Sequence, residues 1–325
     1  MTLEDLFHLA NLTDAINLLP RPPSLVGSSG LFEEKGVNTT SVIVESKNGQ
    51  LSLVPAISRN DDPTPVKRSN RSRRTFEVPH LPTSGQVQPS ELQGLAGFGQ
   101  ETAVESQATV INDRLQEMLD RLDATREWQR VGAISGKILD SDGSVLYDLY
   151  EEFGVTPKKV VTALGTDATD VRGKLMDAKR HAEKQLPGMV ITGWRAYCAE
   201  DYLDALVRHP NVEKAYAAYQ EASDRLGGDV RKGFIYGGVE HIECNAAVGD
   251  KRFIPQGKAR LVPVVRGLFK LYNAPANYNE TSNTLGKPFY AKSEPRKMGK
   301  GWDLEAQTNP LALCLAPGAL VELEA

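Results

Sequence analysis

Apolar residues recur at alternating spacings of four and three through Val104, Ala108, Ile111, Leu115, Met118 and Leu122. That rhythm places all six on one face of a helix. Asp113, Arg114, Glu117, Asp120, Arg121, Asp123, Arg126 and Glu127 fall on the other side and predict a charged face. A helix from Gln107 to Gly136 would span roughly 45 Å, well beyond the three turns of an average helix. Such a rod is expected to be the spine of a domain or to lie across a surface. The plainer alternative is an ordinary amphipathic core helix.

Upstream, Leu3 to Leu19 repeats the helical pattern on a smaller scale, with Leu3, Leu6, Phe7, Ala10, Ile16 and Leu19 as its apolar face. Pro20, Pro22 and Pro23 end it, and Ser28 to Gly30 follow, so the segment has the character of an arm. Its apolar face is expected either to dock on a partner or to pack in the core. From Thr39 to Ser58 the period drops to two, with Val42 and Val44 alternating with Ser41, Ile43 and Glu45. Asn48-Gly49 is a strong signal for a tight hairpin turn, and Leu51 and Leu53 continue the alternation beyond it.

Arg59 to Arg74 is almost devoid of apolar residues and carries Arg59, Lys67, Arg68, Arg71, Arg73 and Arg74 against Asp61 and Asp62. Strand-like character returns over Arg73 to Pro89. Two extended limbs around a polar, proline-containing tip predict a long projecting hairpin. Its basic tip has three readings: a solvated loop, a nucleic-acid patch, or a surface that docks on an acidic neighbour. The nucleic-acid reading suffers because no aromatic residues interleave with the arginines and only Phe76 is near. Gly94 to Gly99 has the spacing G-x-x-G-x-G, not that of a dinucleotide loop, and reads as a hinge before the long helix.

After the helix, Ile138-Leu139 and Val145 to Tyr147 flank Asp140-Ser-Asp-Gly143, which predicts a hairpin. The two aspartates lack the further ligands and closing glutamate of a calcium loop. Beyond Val155 strands and helices alternate. Val160 to Gly165 reads as a buried strand, and Thr166 or Asp167 as the cap of a helix to about Leu186. Val190 to Cys198 reads as a strand, followed by helices over Ala199 to Arg208 and Asn211 to Leu226. A strand pair is expected around Gly237-Gly238 and a buried strand over Lys258 to Val265. Leu268 to Lys292 reads as a loop anchored through Tyr272, Tyr278 and Tyr290, and two apolar strands close the chain around Pro317-Gly318. The order predicts an α+β fold with helices on a small sheet.

The 325 residues allow two domains or one elaborate one, and the 40% apolar and 25% charged fractions are those of a globular protein. A net charge of −4 argues against a globally basic nucleic-acid binder. Cys198, Cys244 and Cys314 are far apart and odd in number, which argues against a disulfide framework and for a reducing environment. The acidic N-terminus has no signal-peptide character, and no window has 18 continuous apolar residues. His8, His80, His181, His209 and His241 stand in no nucleophile or metal-hydrolase motif. In His241-Ile-Glu-Cys244 a strand would turn Cys244 away from His241 and Glu243, so no local zinc site closes. No catalytic, cofactor or metal site is expected.

Taken in order, ILDSDGSVLYDLYEEFGV, FIYGGVEHIECNA, KARLVPVV, LFKLYNAPANYNETSNTLGKPFYAK and NPLALCLAPGALVELEA resemble the lambda-type phage major capsid proteins, the capsid protein E family. The resemblance implies an α+β Hong Kong 97-type phage capsid fold with a long spine helix, a projecting E-loop hairpin and a compact axial domain. It implies an N-terminal arm (1–38), an E-loop with flanking strands (39–95) and a peripheral domain with the spine helix and a hairpin (96–154). An axial domain (155–257), return strands with a peripheral-domain loop (258–305) and C-terminal strands of the axial domain (306–325) would follow. The function implied is self-assembly, through pentamers and hexamers, into the icosahedral head of a tailed double-stranded DNA phage. The chain would be made in the bacterial host's cytoplasm and end in the virion. Scaffold, portal and decoration proteins would be further partners; the DNA would be enclosed without sequence-specific binding, and no membrane is involved. Subunit contact would fall to the E-loop tip: Lys67, Arg68, Arg71, Arg73 and Arg74. An encapsulin-like compartment shell and a soluble α+β enzyme are the alternatives.

Overall fold

The long helix is present and slightly longer than its apolar seam predicts, running over Ala103–Ser135. The computed structural model describes residues 9–20, 24–47, 71–92, 103–215, 233–248 and 251–325. They divide into two units, and the helix contributes to both, through Arg130 to the first and from Val131 to the second.

In the first unit, α1 (Leu9–Leu18) is followed by β1 (Phe32–Gly36) and β4 (Leu81–Val87); β2 (Ser41–Lys47) and β3 (Arg71–Glu77), which come between them in the chain, belong mostly to the second unit. The long helix is α2. Late in the chain come β14 (Phe269–Asn273), β15 (Tyr290–Pro295), β16 (Trp302–Thr308) and β17 (Pro310–Cys314). β16 pairs antiparallel with both β15 and β4, placing Ala306 opposite Ala291 and Trp302 opposite Val87. Alternate residues of this sheet, Val87, Ala291, Leu304 and Ala306, form one core with Ile111, Leu115, Met118, Leu119 and Leu122 of α2. Each large side chain buried there is worth about 2 kcal/mol. The period-of-two pattern in Leu81–Val87 is half-buried and half-exposed, as one covered face requires.

α1 belongs to the same core. Leu12 and Ile16 pack with Phe289 and Ala291, the Thr13 hydroxyl donates to the Ala291 carbonyl, and the Asn17 amide donates to that of Phe289. Of the two roles open to this apolar face, the described residues take core packing. A second sheet has the order β1-β14-β17.

In the second unit a hairpin of β5 (Lys137–Leu139) and β6 (Val145–Asp148) follows α2, as the Asp140-to-Gly143 turn predicts. Asp148 then caps α3 (Leu149–Phe153), accepting from the amides of Tyr150 and Glu151. The remaining elements are β7 (Lys158–Val161), α4 (Val171–Gln185), β8 (Gly193–Cys198), α5 (Glu200–Arg208), β9 (Phe234–Tyr236), β10 (Val239–Glu243), β11 (Ala247–Val248), β12 (Lys251–Arg252), β13 (Lys258–Val264) and β18 (Val321–Glu324). Six of the strands form one sheet in the order β7-β18-β13-β8-β10-β9. The β7–β18 and β8–β10 pairs are parallel, and β13 runs antiparallel to β18 and β8. Gly237 and Gly238 both have positive φ, the conformation that the tight β9–β10 turn demands.

Several expectations need correction. Val160 to Gly165 is not a buried strand. β7 begins earlier, ends at Val161 just before the chain turns at Ala163 with φ 47°, and lies exposed at the sheet edge. The helix after it starts at Val171, where Asp170, not Thr166 or Asp167, accepts from the Gly173 amide. The stretch from Leu268 to Lys292 is partly strand: Tyr272 lies in β14 and Tyr290 opens β15. β2 finds its partner in β3; Asn48, Gly49 and the continuation through Leu53 lie outside the described residues, as does the Gly94-to-Gly99 hinge. Helix continues over 210–215, beyond which the expected helix to Leu226 is also outside them.

Candidate subunit-contact site

Of the five candidate contact residues, Arg71, Arg73 and Arg74 sit on β3, which pairs with β2. β2 turns Val42 and Val44 inward and leaves Ile43 63% exposed. On β3, Phe76 is buried while Arg73 faces out. Arg71 opens the strand, and Lys67 and Arg68 lie outside the described residues. Arg74 is engaged within its own chain. Its Nε donates to the Glu152 carbonyl, and its guanidinium stands 5.0 Å from the centre of the Phe153 ring. A cation at the C-terminus of α3 meets unpaired carbonyls and an aromatic face together. Arg74 therefore fixes the limb, and Arg73 projects.

The largest correction concerns the charged face of α2. Asp113, Glu117, Asp120 and Arg121 are exposed as expected, but Asp123, Arg126, Glu127 and Arg130 are buried. Arg126 Nη1 donates to Asn273 Oδ1 at 2.9 Å, Thr308 Oγ1 at 3.0 Å and the Pro288 carbonyl at 3.2 Å. Its Nη2 reaches Glu34 at 3.3 Å, and Arg130 reaches the same carboxylate at 3.1 Å. Glu127 pairs with Arg130 and accepts from the backbone amides of Val26 and Gly27. Two arginines and two glutamates thus join β1, β14, β16 and the turn at residues 24–30 to one helix. Desolvated ions persist only when paired and hydrogen-bonded in this way. Nothing local in the sequence separates this set from an exposed row of i, i+3 and i, i+4 pairs.

A second charged centre lies on β18. Glu322 is met by Arg260 at 2.5 Å, Lys258 at 2.8 Å and Lys159 at 3.5 Å. Burial alone would raise its carboxyl pKa; the Lys258 hydrogen bond and the charges of Arg260, Lys258 and Lys159 outweigh that and hold it low. Three strands are cross-braced through one side chain.

Among the described residues, Cys198 and His241 are arranged against nucleophilic chemistry. Cys198 Sγ lies 3.8 Å from His241 Nδ1, both fully buried. Burial pushes the thiol up, and it drives the imidazole down to about 4 although a backbone bond at Tyr236 opposes this. A protonated thiol beside a neutral imidazole is the reverse of an activated ion pair. Glu243 bonds Asn245, and among the described residues no three His, Cys, Asp or Glu side chains are grouped to hold a metal ion. No described helix is long and apolar enough to cross a membrane.

A long helix over an antiparallel sheet, a two-stranded limb and a six-stranded mixed sheet with flanking helices make up the Hong Kong 97-type capsid fold. A crystal structure of an Escherichia coli CFT073 prophage protein ascribed to the capsid shares it, with a TM-score of 0.58 at 11% identity, covering 100% of this chain and 99% of that one. The model of the family described as phage major capsid protein E matches residues 8–325, and the chain belongs to that family. It is 25% identical to the major capsid protein of Salmonella phage Felix O1, over 98% of this chain and 96% of that one. Identity to the major capsid protein of Pseudomonas phage KPP10 is 28%, over 99% and 97%. The phage shell is therefore the one of the three expected roles that is met, and the virion capsid is where the chain resides.

Proposed function

We propose that copies of this chain assemble, through pentamers and hexamers, into the icosahedral head of a tailed phage that encloses double-stranded DNA. The observation that carries this reading is the family match along residues 8–325. The mechanism is geometric. Each contact between copies can be weak, because closure makes the contacts multivalent. A net charge of −4 suits a wall that does not grip the DNA it surrounds.

Within the subunit, the β2–β3 ladder and the segment between its strands act as the E-loop, and the six-stranded sheet with α4 and α5 as the axial domain. The first part of α2 and the β15-β16-β4 sheet act as the peripheral domain. Lys67, Arg68, Arg71 and Arg73 present positive charge to a carboxylate-bearing neighbour, where charge sets register more than affinity. Arg74 anchors that limb at its base. Scaffold, portal and decoration proteins are the further partners such a shell recruits. Expression of the full chain followed by sedimentation and electron microscopy tests the proposal: closed shells are expected. A chain that stays monomeric at every concentration, alone and beside its phage's other head proteins, would overturn it.

A further inference from the structure

The two ends of the six-stranded sheet are chemically unlike. β7, the strand at one end, pairs with β18 alone among the described strands and leaves its outer edge open. α4 lies beside it, and together they frame a cleft of about 480 Å³. Its lining holds five cations, Lys158, Lys159, Lys174, Arg180 and Lys184, against the single carboxylate of Asp177. Lys174, Asp177, His181 and Lys184 follow at spacings of three, four and three, so one stripe of α4 faces the cleft. Val161, 54% exposed, adds an apolar patch. Toward the other end, α5 packs on β10 and exposes Glu200, Asp201 and Asp204, with Arg208 as its one basic residue.

We infer that the basic cleft between β7 and α4 of one copy receives the acidic α5 face of a second copy. This rests on the shell reading above. Unlike surfaces on one domain make a heterologous, head-to-tail contact, and repetition of such a contact closes into a ring when the rotation permits. A second copy fits better than DNA. An exposed valine and the carbonyls of an open strand edge give a phosphate backbone nothing to bind, whereas a protein surface can cover the valine and pair with both kinds of edge group. The complementary acidic face is also present on every copy, at the concentration of the chain itself.

The test uses the full chain expressed in bacteria. Lys158→Glu, Lys174→Glu and Lys184→Glu together reverse the cleft and leave Lys159, which braces Glu322, in place. Glu200→Lys with Asp204→Lys reverses the other face. Each set is expected to lower the yield of shells at least about tenfold with unchanged thermal melting, and their combination to restore it. If the reversed cleft melts early, Lys174→Gln with Lys184→Gln supplies the milder variant, with the same direction expected. Shells formed by a folded cleft variant as readily as by the parent would overturn the contact while leaving the shell reading intact. So would a combination that restores nothing, or loss of duplex DNA binding with assembly unchanged. A parent chain that never assembles removes the shell reading and this contact with it.

Discussion

The guanidinium of Arg126, fully buried, stands 4.9 Å from the centre of the Phe289 ring while its nitrogens reach Glu34, Asn273, Pro288 and Thr308. One planar fork thus joins a helix to segments up to 182 residues away. Lysine offers a point charge and no flat face to lie on an aromatic ring. Arg126→Ala is expected to lower the unfolding free energy by roughly 3–5 kcal/mol, because the buried Asn273 Oδ1 and Thr308 Oγ1 lose the Arg126 donor and Glu34 is left with Arg130 alone. Arg126→Lys should recover less than half of that. Urea unfolding followed by circular dichroism measures both; a loss below about 1 kcal/mol for the alanine variant would show the network to be dispensable.

His241 gives the domain an acid limit. The unfolded imidazole takes up its proton near pH 6.5, the folded one only near pH 4. Between those values the unfolded state binds more protons, so stability falls as pH falls, and the full loss is about 3 kcal/mol. His241→Leu removes this dependence. The stability difference between parent and variant should shift against the parent by about 2 kcal/mol from pH 7 to pH 5. A difference that stays constant over this range would mean that His241 takes up its proton in the fold as readily as in the unfolded chain, and would overturn this account.

Gly136 ends α2 at φ 79°, and a Cβ there would overlap the Tyr150 ring. Gly136→Ala therefore carries two penalties, the left-handed backbone, worth about 1–2 kcal/mol, and the clash. In a Tyr150→Ala background only the backbone penalty should remain. A double-mutant cycle separates them, and equal losses in both backgrounds would remove the clash from the account.

What the sequence makes legible here is what is local. The α2 seam through Ile111, Leu115, Met118 and Leu122 follows from a period of 3.6, and the β5–β6 and β9–β10 hairpins follow from their turn residues. The buried end of α2 does not, because Arg126 finds its partners at Glu34, Asn273 and Thr308, all distant in the chain. A charged residue looks solvated until those partners are known. Val160 and Val161 mislead in the opposite sense: β-branched residues suit any pleated strand, and only the pairing reveals that β7 is an edge. The β15-β16-β4 sheet joins segments about 200 residues apart, and nothing near Leu81 announces that.

The basic residues of β3 should separate by function. Arg74 bonds the Glu152 carbonyl and covers Phe153, so its charge is used within the subunit. Arg74→Ala is expected to cost about 1 kcal/mol of stability, the worth of a half-exposed charge-assisted bond with a cation–π contact. Arg73 is exposed on the same strand, and Arg71 opens it. Charge reversal of both should impair assembly, because like charges would then meet across the contact. Adding Arg74→Glu should deepen the assembly defect and lower stability as well. Calorimetry and shell yield, measured on the same preparations, read the two roles independently. Intact shells from the Arg71/Arg73 double reversal would remove β3 from the contact, and an unchanged melting temperature for Arg74→Ala would remove the anchor.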